Sequence, residues 1–277
     1  MKACYNEATT LQNSDLEKDI VLAEKAGFEY IELWIVQIEK YLETHSSEEM
    51  VKLFEGRRIK PFAIDSFEDI LFNDEYEKLK EKFVRVCEYG KILDVHNIVM
   101  VPTVKKGINK QYTKEEIDKE AVCVLTELAE LGDPYGMRLA FEPIGFADCT
   151  VRSIRHAWKI VQKADRKNIG LTLDVFNDYL YNGLQDIESI KEIDGEKIFI
   201  FHIDDAPVLP LDQYKVNHSD RVLPGAGGLP YRRFIKLLKE QGFDIEASIE
   251  LFNPTFYMME PETVIDMCYK KVEEAIR

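Results

Sequence analysis

The stretch SDLEKDIVLAEKAGFEYIELW, residues Ser14 to Trp34, contains one full unit of the pattern that decides the fold. Its first part has apolar residues at helical spacing, with Ser14 or Asp15 available to cap the start and Gly27 to end the helix. Its last part, Tyr30–Trp34, is short and rich in aromatic and branched residues, which predicts a strand. The unit is therefore a helix that leads into a buried strand.

The same alternation of short strand, turn and amphipathic helix repeats along the chain. Strands joined by crossover helices pair in parallel, and eight such units without a low-complexity linker predict an α/β fold, a (β/α)8 TIM barrel in a single domain spanning residues 1–277. A dinucleotide-binding fold is disfavoured, because the glycine-dense PGAGGLP follows the seventh strand and lacks the GxGxxG spacing. The predicted strands are Lys2–Asn6, Tyr30–Trp34, Pro61–Asp65, Asn97–Pro102, Arg138–Glu142, Gly170–Asp174, Ile198–His202 and Ala247–Leu251.

Composition and charge argue against several classes of protein. Lys and Arg total 36 against 51 Asp and Glu, and the net charge of -15 repels phosphate backbones and anionic membranes. The N-terminal residues lack a secretory signal, and no run approaches the ~20 apolar residues of a membrane span. Five widely spaced cysteines without a CxxC motif predict reduced core thiols. We therefore expect a cytoplasmic protein that binds a small molecule and neither nucleic acid nor membrane.

Four consecutive predicted strands, the fifth to the eighth, end in a polar side chain: Glu142, Asp174, His202 and Glu250. The C-terminal strand ends of a parallel barrel face one mouth, so these groups would meet there. Any one of them could instead cap a helix or pair with a lysine, but three carboxylates and an imidazole together would repel each other without a cation. Oxygen-rich ligation with one imidazole suits Mn²⁺, Mg²⁺ or Co²⁺, and Zn²⁺ is also compatible. The pattern predicts one divalent metal ion with coordination positions left for substrate oxygens.

Other residues at strand ends have two interpretations each. Trp34 could stack on the apolar face of a sugar or cyclitol ring, or pack in the core. Asp204 or Asp205 could orient the ring nitrogen of His202 that faces away from the metal, or cap the following loop. His218 is interpreted as a solvated loop residue. Polar residues that could contact substrate hydroxyls or cap loops are Asn6, Glu7, Asp65 and Asp148.

Six segments resemble the xylose-isomerase-like TIM-barrel superfamily of sugar isomerases and epimerases, and within it the inosose isomerases of bacterial myo-inositol catabolism: CYNEATT, YIEL, CVLTELAE, KIFIFHIDD, DRVLPGAGG and SIELFNP. The resemblance spans essentially the whole chain. It implies a metal held by Glu142, Asp174, His202 and Glu250, and chelated by adjacent carbonyl and hydroxyl oxygens of a polyhydroxy ketone. It also implies that Glu142 and Glu250 move protons and that Arg221 holds a substrate oxygen.

One position departs from the pattern of the superfamily. Its members commonly have Asp-x-x-His at the end of strand six, whereas this chain reads DVFND, with Asn177 in place of the histidine. Asparagine can donate a hydrogen bond to a substrate hydroxyl but cannot become cationic. The superfamily also includes the endonuclease IV type of DNA repair enzyme, which has many histidines and a basic DNA-binding face. Five histidines and a net charge of -15 disfavour that branch here.

The predicted function is isomerisation or epimerisation of an inosose, a keto-cyclitol, or of a keto-sugar through a metal-bound enediolate. The metal would act as a Lewis acid, one carboxylate would remove the proton beside the carbonyl, and an acid would return it. Two alternatives stay open: a dehydratase of the same substrates, which differs in the mass of its product, and a sugar-binding barrel without catalysis. Asn177 favours the second alternative, and the retention of all four ligand types opposes it.

Overall fold

The eight strands form one closed parallel barrel, as the sequence predicts. The computed structural model describes residues 1–185, 187–215 and 217–277. Each strand is hydrogen-bonded to the next in chain order, and the eighth pairs with the first. The ends of predicted and observed strands differ by at most two residues. The strands are β1 Lys2–Asn6, β2 Tyr30–Trp34, β3 Lys60–Phe67, β4 Asn97–Met100, β5 Arg138–Phe141, β6 Ile169–Asp174, β7 Ile198–Ile203 and β8 Glu246–Ile249.

Helices connect the strands, and the first of them begins and ends at predicted residues. The Asp15 carboxylate accepts a hydrogen bond from the backbone N–H of Lys18 at 2.9 Å and so caps α1. Gly27 ends α1 with a φ of 119°, and a Cβ there would lie 2.6 Å from the ring of Tyr269, so only glycine fits. The helices are α1 Leu16–Ala26, α2 Ile35–Leu42, α3 Ser47–Lys52, α4 Tyr76–Leu93, α5 Lys114–Gly132, α6 Ile154–Ala164, α7 Val175–Asn182, α8 Tyr231–Glu240, α9 Pro254–Tyr257 and α10 Pro261–Ile276.

The chain divides into two compact units, each with its own aromatic packing. The first unit comprises Met1–Asp65 and Phe201–Arg277, and in it Phe28 packs between Tyr5 and Tyr269 with ring centroids 5.5 and 5.2 Å apart. The second unit comprises Ser66–Ile200, and in it Phe67 meets Phe83 edge to face at 5.3 Å. Such ring pairs contribute about 0.5–1.5 kcal/mol beyond their buried area.

Strand register in the first unit places polar side chains on the inner face of the sheet. Ser248 of β8 pairs with His202 of β7 on one side and with Cys4 of β1 on the other. Side chains alternate along a strand, so Glu32 and Trp34 share one face of β2. Ser248 and Glu250 share one face by the same rule. The polar groups of this face are therefore stacked in successive layers inside the barrel.

Four of the five cysteines are buried, as the sequence analysis predicts, and one is not. All five cysteines are free thiols, and of these only Cys123 is exposed. Within residues 1–185, 187–215 and 217–277, no helix has both the length and the apolar character needed to cross a membrane.

Two buried carboxyl groups lie near the start of the chain. Asp19 of α1 accepts a hydrogen bond from the Thr10 hydroxyl, which lies 3.0 Å from each of its oxygens. Neither Asp19 nor Glu7 is exposed to solvent. Burial raises the pKa of Asp19 to about 7, and burial together with the Asp19 charge raises the pKa of Glu7. Both groups are therefore harder to ionise in the folded protein than in the unfolded chain.

The raised pKa of Asp19 predicts a pH-dependent stability. An unfolded aspartate ionises near pH 4, so the folded state holds an extra proton between about pH 4 and pH 7 and the free energy of unfolding falls as pH rises through that window. Asp19→Asn should remove about 1–2 kcal/mol of this fall between pH 5 and pH 7, measured by urea denaturation. Glu17→Gln, at an exposed position of the same helix, is the control and should keep the parental slope. An unchanged slope in the Asp19 variant would contradict the assignment.

Candidate metal centre

Four side chains at successive strand ends offer ligand atoms to one point. Asp174 is the last residue of β6 and His202 the last but one of β7, while Glu142 and Glu250 directly follow β5 and β8. One ligand atom from each of the four lies within 4.8 Å of the others, and all four residues are buried. The structure thus brings together the residues that the sequence predicts as ligands.

The donor set fits a divalent cation. Ligand atoms about 2.0–2.2 Å from a common ion are at most about 4.4 Å apart, so atoms that lie within 4.8 Å of one another can reach an ion with small side-chain movements. Three buried carboxylates and one imidazole carry an excess of negative charge, which a dication offsets. A four-residue set also leaves coordination positions for substrate oxygens.

A buried arginine holds Glu250 in its ionised form. Arg221 has no solvent exposure, and its Nη1 donates to the Glu250 carboxylate and lies 3.2 Å from Oδ2 of Asp204. Burial alone would raise the pKa of Glu250, but the charges of His202 and Arg221 hold that pKa well below its usual range. The sequence predicts that Arg221 holds a substrate oxygen, whereas in this structure its guanidinium binds Glu250.

His218 and Asp65 surround the same carboxylate. The Nδ1 atom of His218 accepts a hydrogen bond from Nη2 of Arg221 at 2.9 Å. Burial and the Arg221 charge lower the pKa of His218 to about 3, so its ring is neutral. His218 is half-buried and bonded to Arg221, so it is not the fully solvated loop residue that the sequence interpretation describes. Burial and the Glu250 charge raise the pKa of Asp65, which accepts a hydrogen bond from the Asn6 amide at 3.1 Å.

The second unit positions the other two carboxylates through Asn177. Asp174 caps α7, where its Oδ1 accepts a hydrogen bond from the backbone N–H of Asn177 at 2.6 Å. The side-chain amide of Asn177 donates to Oε1 of Glu142 at 3.0 Å. The residue in the histidine position of the superfamily therefore orients a candidate ligand through an N–H group.

Glu32, which the sequence analysis did not select, faces the far nitrogen of His202. Nε2 of His202 lies 3.3 Å from the Glu32 carboxylate, while Nδ1 lies 3.4 Å from Oε2 of Glu250. Asp205 is engaged elsewhere, since its carboxylate accepts backbone N–H groups of the glycine-rich loop, among them Gly225 at 2.9 Å. Of the two interpretations of Asp205, loop capping therefore describes it. Glu32 was detectable as a charge on the same face of β2 as Trp34.

Aromatic side chains and Asn6 form a wall in the first unit. The indole N–H of Trp34 donates to Oδ1 of Asn6 at 2.8 Å, and its backbone N–H donates to Glu7 at 2.7 Å. Phe252 meets the Trp34 ring edge to face at 5.5 Å and lies 5.5 Å below the Arg221 guanidinium. Asn6 thus orients the indole, which is half-buried and available to an apolar ring face.

Asp148 lies in the loop after β5 and binds backbone. Its Oδ1 accepts a hydrogen bond from the N–H of Gly107 at 2.9 Å, and its carbonyl accepts one from Lys105 at 3.0 Å. The half-buried carboxylate therefore tethers one loop of the second unit to another.

Residues 20–267 match the sequence model of a family described as "Xylose isomerase-like TIM barrel". The chain belongs to this family. Curated inosose isomerases of Bacillus velezensis and Bacillus subtilis are 37% and 38% identical to it over 281 residues, covering 100% of this chain and 97% and 98% of theirs. A crystal structure described as the IolI protein with a bound zinc atom superposes with a TM-score of 0.94 at 38% identity, covering 100% of this chain and 98% of that one. The predicted resemblance to this family and to its inosose isomerases is confirmed.

Proposed function

We infer that this chain is a metal-dependent isomerase of an inosose, a ring-shaped polyhydroxy ketone. The full-length similarity to inosose isomerases is the observation that carries the inference. The four buried strand-end groups, with ligand atoms within 4.8 Å of one another, support metal dependence. The zinc atom of the IolI protein supports a divalent ion, and we propose Zn²⁺, Mn²⁺, Co²⁺ or Mg²⁺ on Glu142, Asp174, His202 and Glu250.

The chemistry requires a proton to move between neighbouring carbons. A bound divalent ion supplies Lewis acidity, which stabilises negative charge on the oxygens of the reacting carbons. Glu250, whose carboxylate is ionised beside Arg221, is one proposed proton carrier. Glu142, held by the amide of Asn177, is the proposed second proton carrier. Which of the two acts first depends on the direction of the reaction.

The proposed substrate contacts are an aromatic ring and polar side chains near the strand ends. The ring of Trp34, oriented by Asn6, would cover an apolar face of the cyclitol. Asn177 and Arg221 are proposed to contact substrate oxygens next to the glutamates that they hold. Asp148 is proposed as a more distant contact, reached through the loop that it tethers. We also propose that residues 1–277 are one domain and that the protein is cytoplasmic, which its five free thiols support.

Analysis of the product tests the proposed reaction. Metal-saturated protein should convert one or more members of a panel of inososes and ketoses into an isomer of unchanged mass, detected by NMR and mass spectrometry. A product that has lost one water molecule would establish the dehydratase alternative instead. Binding of metal and ligand without any change in the whole panel would establish a binding protein. Glu246→Gln changes a half-buried carboxylate at the start of β8, four residues before Glu250, and is a matched control that should retain turnover.

A substitution of Asn177 separates its hydrogen bond from the charge that histidine can carry. If the amide serves as an N–H donor to Glu142, Asn177→His retains a donor and should change the catalytic constant by less than about 3-fold, because the charged acceptor is still satisfied. Asn177→Leu removes the donor and should cost about 10–100-fold, the value of a hydrogen bond to a buried charge. Initial rates at saturating metal provide the comparison. A hundredfold gain in the histidine variant would show that the cationic charge matters.

A further inference from the structure

Glu32 occupies an unusual place for a carboxylate. It lies in the middle of β2, is fully buried, and its neighbours in register are Asn6 of β1 and Ala63 of β3. It is two residues before Trp34 on the same face, which puts it one layer below the strand ends. An ionised carboxylate in such a layer costs several kcal/mol unless hydrogen-bond donors surround it. The groups that donate hydrogen bonds to the Glu32 carboxylate therefore indicate its role.

Two side chains from neighbouring strands supply those donors. Nε2 of His202 lies 3.3 Å from Oε1 and 3.3 Å from Oε2 of Glu32. The hydroxyl of Ser248 donates to Oε2 at 2.5 Å. Ser248 is also the register partner of His202 in the pairing of β7 with β8, so strand pairing fixes the two donors side by side. The carboxylate is consequently clamped against one edge of the imidazole.

The clamp gives the two nitrogens of His202 different roles. Each nitrogen faces a carboxylate, Nε2 that of Glu32 and Nδ1 that of the candidate ligand Glu250. When a cation occupies the Glu250 side, Nδ1 presents its lone pair to it and the proton of the neutral ring stays on Nε2, beside Glu32. Nδ1 is the nitrogen on the Glu250 side, 3.4 Å from Oε2. We propose that Glu32, held by Ser248, is a positioning residue that fixes the tautomer and ring orientation of His202 so that Nδ1 serves as the metal ligand. The proposal rests on the proposed function, since it concerns the same metal.

A second cation is the competing explanation for this cluster. Glu32, Asp65 and His202 also present ligand atoms within 4.8 Å of one another. Two observations favour positioning. Oε2 of Glu32 already accepts from Ser248, and an ion on Nε2 with another on Nδ1 would require a doubly deprotonated imidazole ring. The number of ions bound per chain distinguishes the two explanations.

The first experiment examines the parent protein and uses one variant for signal assignment only. Protein labelled with ¹⁵N-histidine and stripped of metal is examined by long-range ¹H–¹⁵N NMR, with His202→Gln used to assign the ring signals of His202. After Zn²⁺ is added, we expect Nε2 to carry the ring proton and Nδ1 to show the chemical shift of a metal-bound nitrogen. A zinc-loaded ring that is protonated on Nδ1 and bound to the metal through Nε2 overturns the proposal.

Zinc titration of three variants gives the second readout. Glu32→Gln keeps the shape and an acceptor oxygen but loses the charge, and Glu32→Ala loses both. We expect the zinc dissociation constant to rise about 10-fold in the first and up to about 100-fold in the second, the usual effect of removing a group that orients a metal-binding histidine. Ser248→Ala should give a smaller rise, and the control Glu246→Gln should stay within about twofold of the parent.

The outcomes separate this proposal from the proposed function. Unchanged zinc affinity and an unchanged tautomer population in folded Glu32→Gln would overturn the positioning role. Two ions per chain in the parent and one in Glu32→Gln would establish a second metal site and overturn it as well. None of these measurements uses a substrate, so a failure to find turnover leaves them unaffected. If the parent turned over substrate and the Glu32 variants kept the parental zinc affinity, the positioning role would be overturned and the proposed function would be retained.

Discussion

Glu250→Gln is expected to lower the isomerisation rate of metal-saturated protein by about 10²–10⁴-fold, the usual contribution of a positioned proton-transfer group. Glutamine keeps the size of the side chain but cannot accept the proton, and it removes one negative charge from the four-residue donor set. Metal content after equilibration and dilution should fall as well. Both quantities are measured on the same samples, the rate by NMR and the metal by elemental analysis.

The matched control for this variant is Glu246→Gln, which removes the same charge from the other end of the same strand. It should retain the parental rate and metal content. If Glu250→Gln also retained its metal and a rate within about tenfold of the parent, Glu250 would be neither a ligand nor a proton carrier.

Arg221→Met is expected to lower the free energy of unfolding by about 3–5 kcal/mol, because it removes one member of a buried ion pair. The guanidinium lies between the carboxylates of Glu250 and Asp204, and methionine would leave these two buried charges facing each other. The measurement is urea denaturation of the metal-free protein, in which no ion compensates for the lost cation.

The control is Arg155→Met, which breaks a partly exposed pair with Glu192 and should cost at most about 1 kcal/mol. The double variant Arg221→Met with Glu250→Gln should lose less stability than the sum of the two single variants, since the second change removes a charge that the first leaves behind. Strict additivity, or a loss below about 1 kcal/mol for Arg221→Met alone, would contradict the network around Glu250.

The sequence predicts the barrel and the four candidate ligands because both depend on local, periodic signals. Each strand is a short run with turn residues after it, and Asp174 or His202 is recognisable as the polar residue that ends such a run. Parallel strand order then requires these ends to meet, whatever the lengths of the intervening helices. The predicted strands therefore agree with the observed ones.

The partners of these ligands could not be predicted in the same way. Glu32 meets His202 across 170 residues of sequence, and only the register of β2, β7 and β8 decides that Ser248 joins them. The direction of the Asn177 amide depends on the first turn of α7, which the side chain of Asp174 starts. The sequence resemblance implies that Arg221 binds substrate. Its complete burial against Glu250 could be recognised only from the structure.

Deuterium incorporation from D₂O tests the central claim most directly. The protein is stripped of metal, divided, and one half is reloaded with Zn²⁺ or Mn²⁺ before both are incubated with inososes. The account predicts deuterium at the carbon beside the carbonyl and an isomer of otherwise equal composition with the reloaded half, and neither with the stripped half. Equal incorporation by both halves, or none by a reloaded sample that has bound one ion per chain, would contradict it.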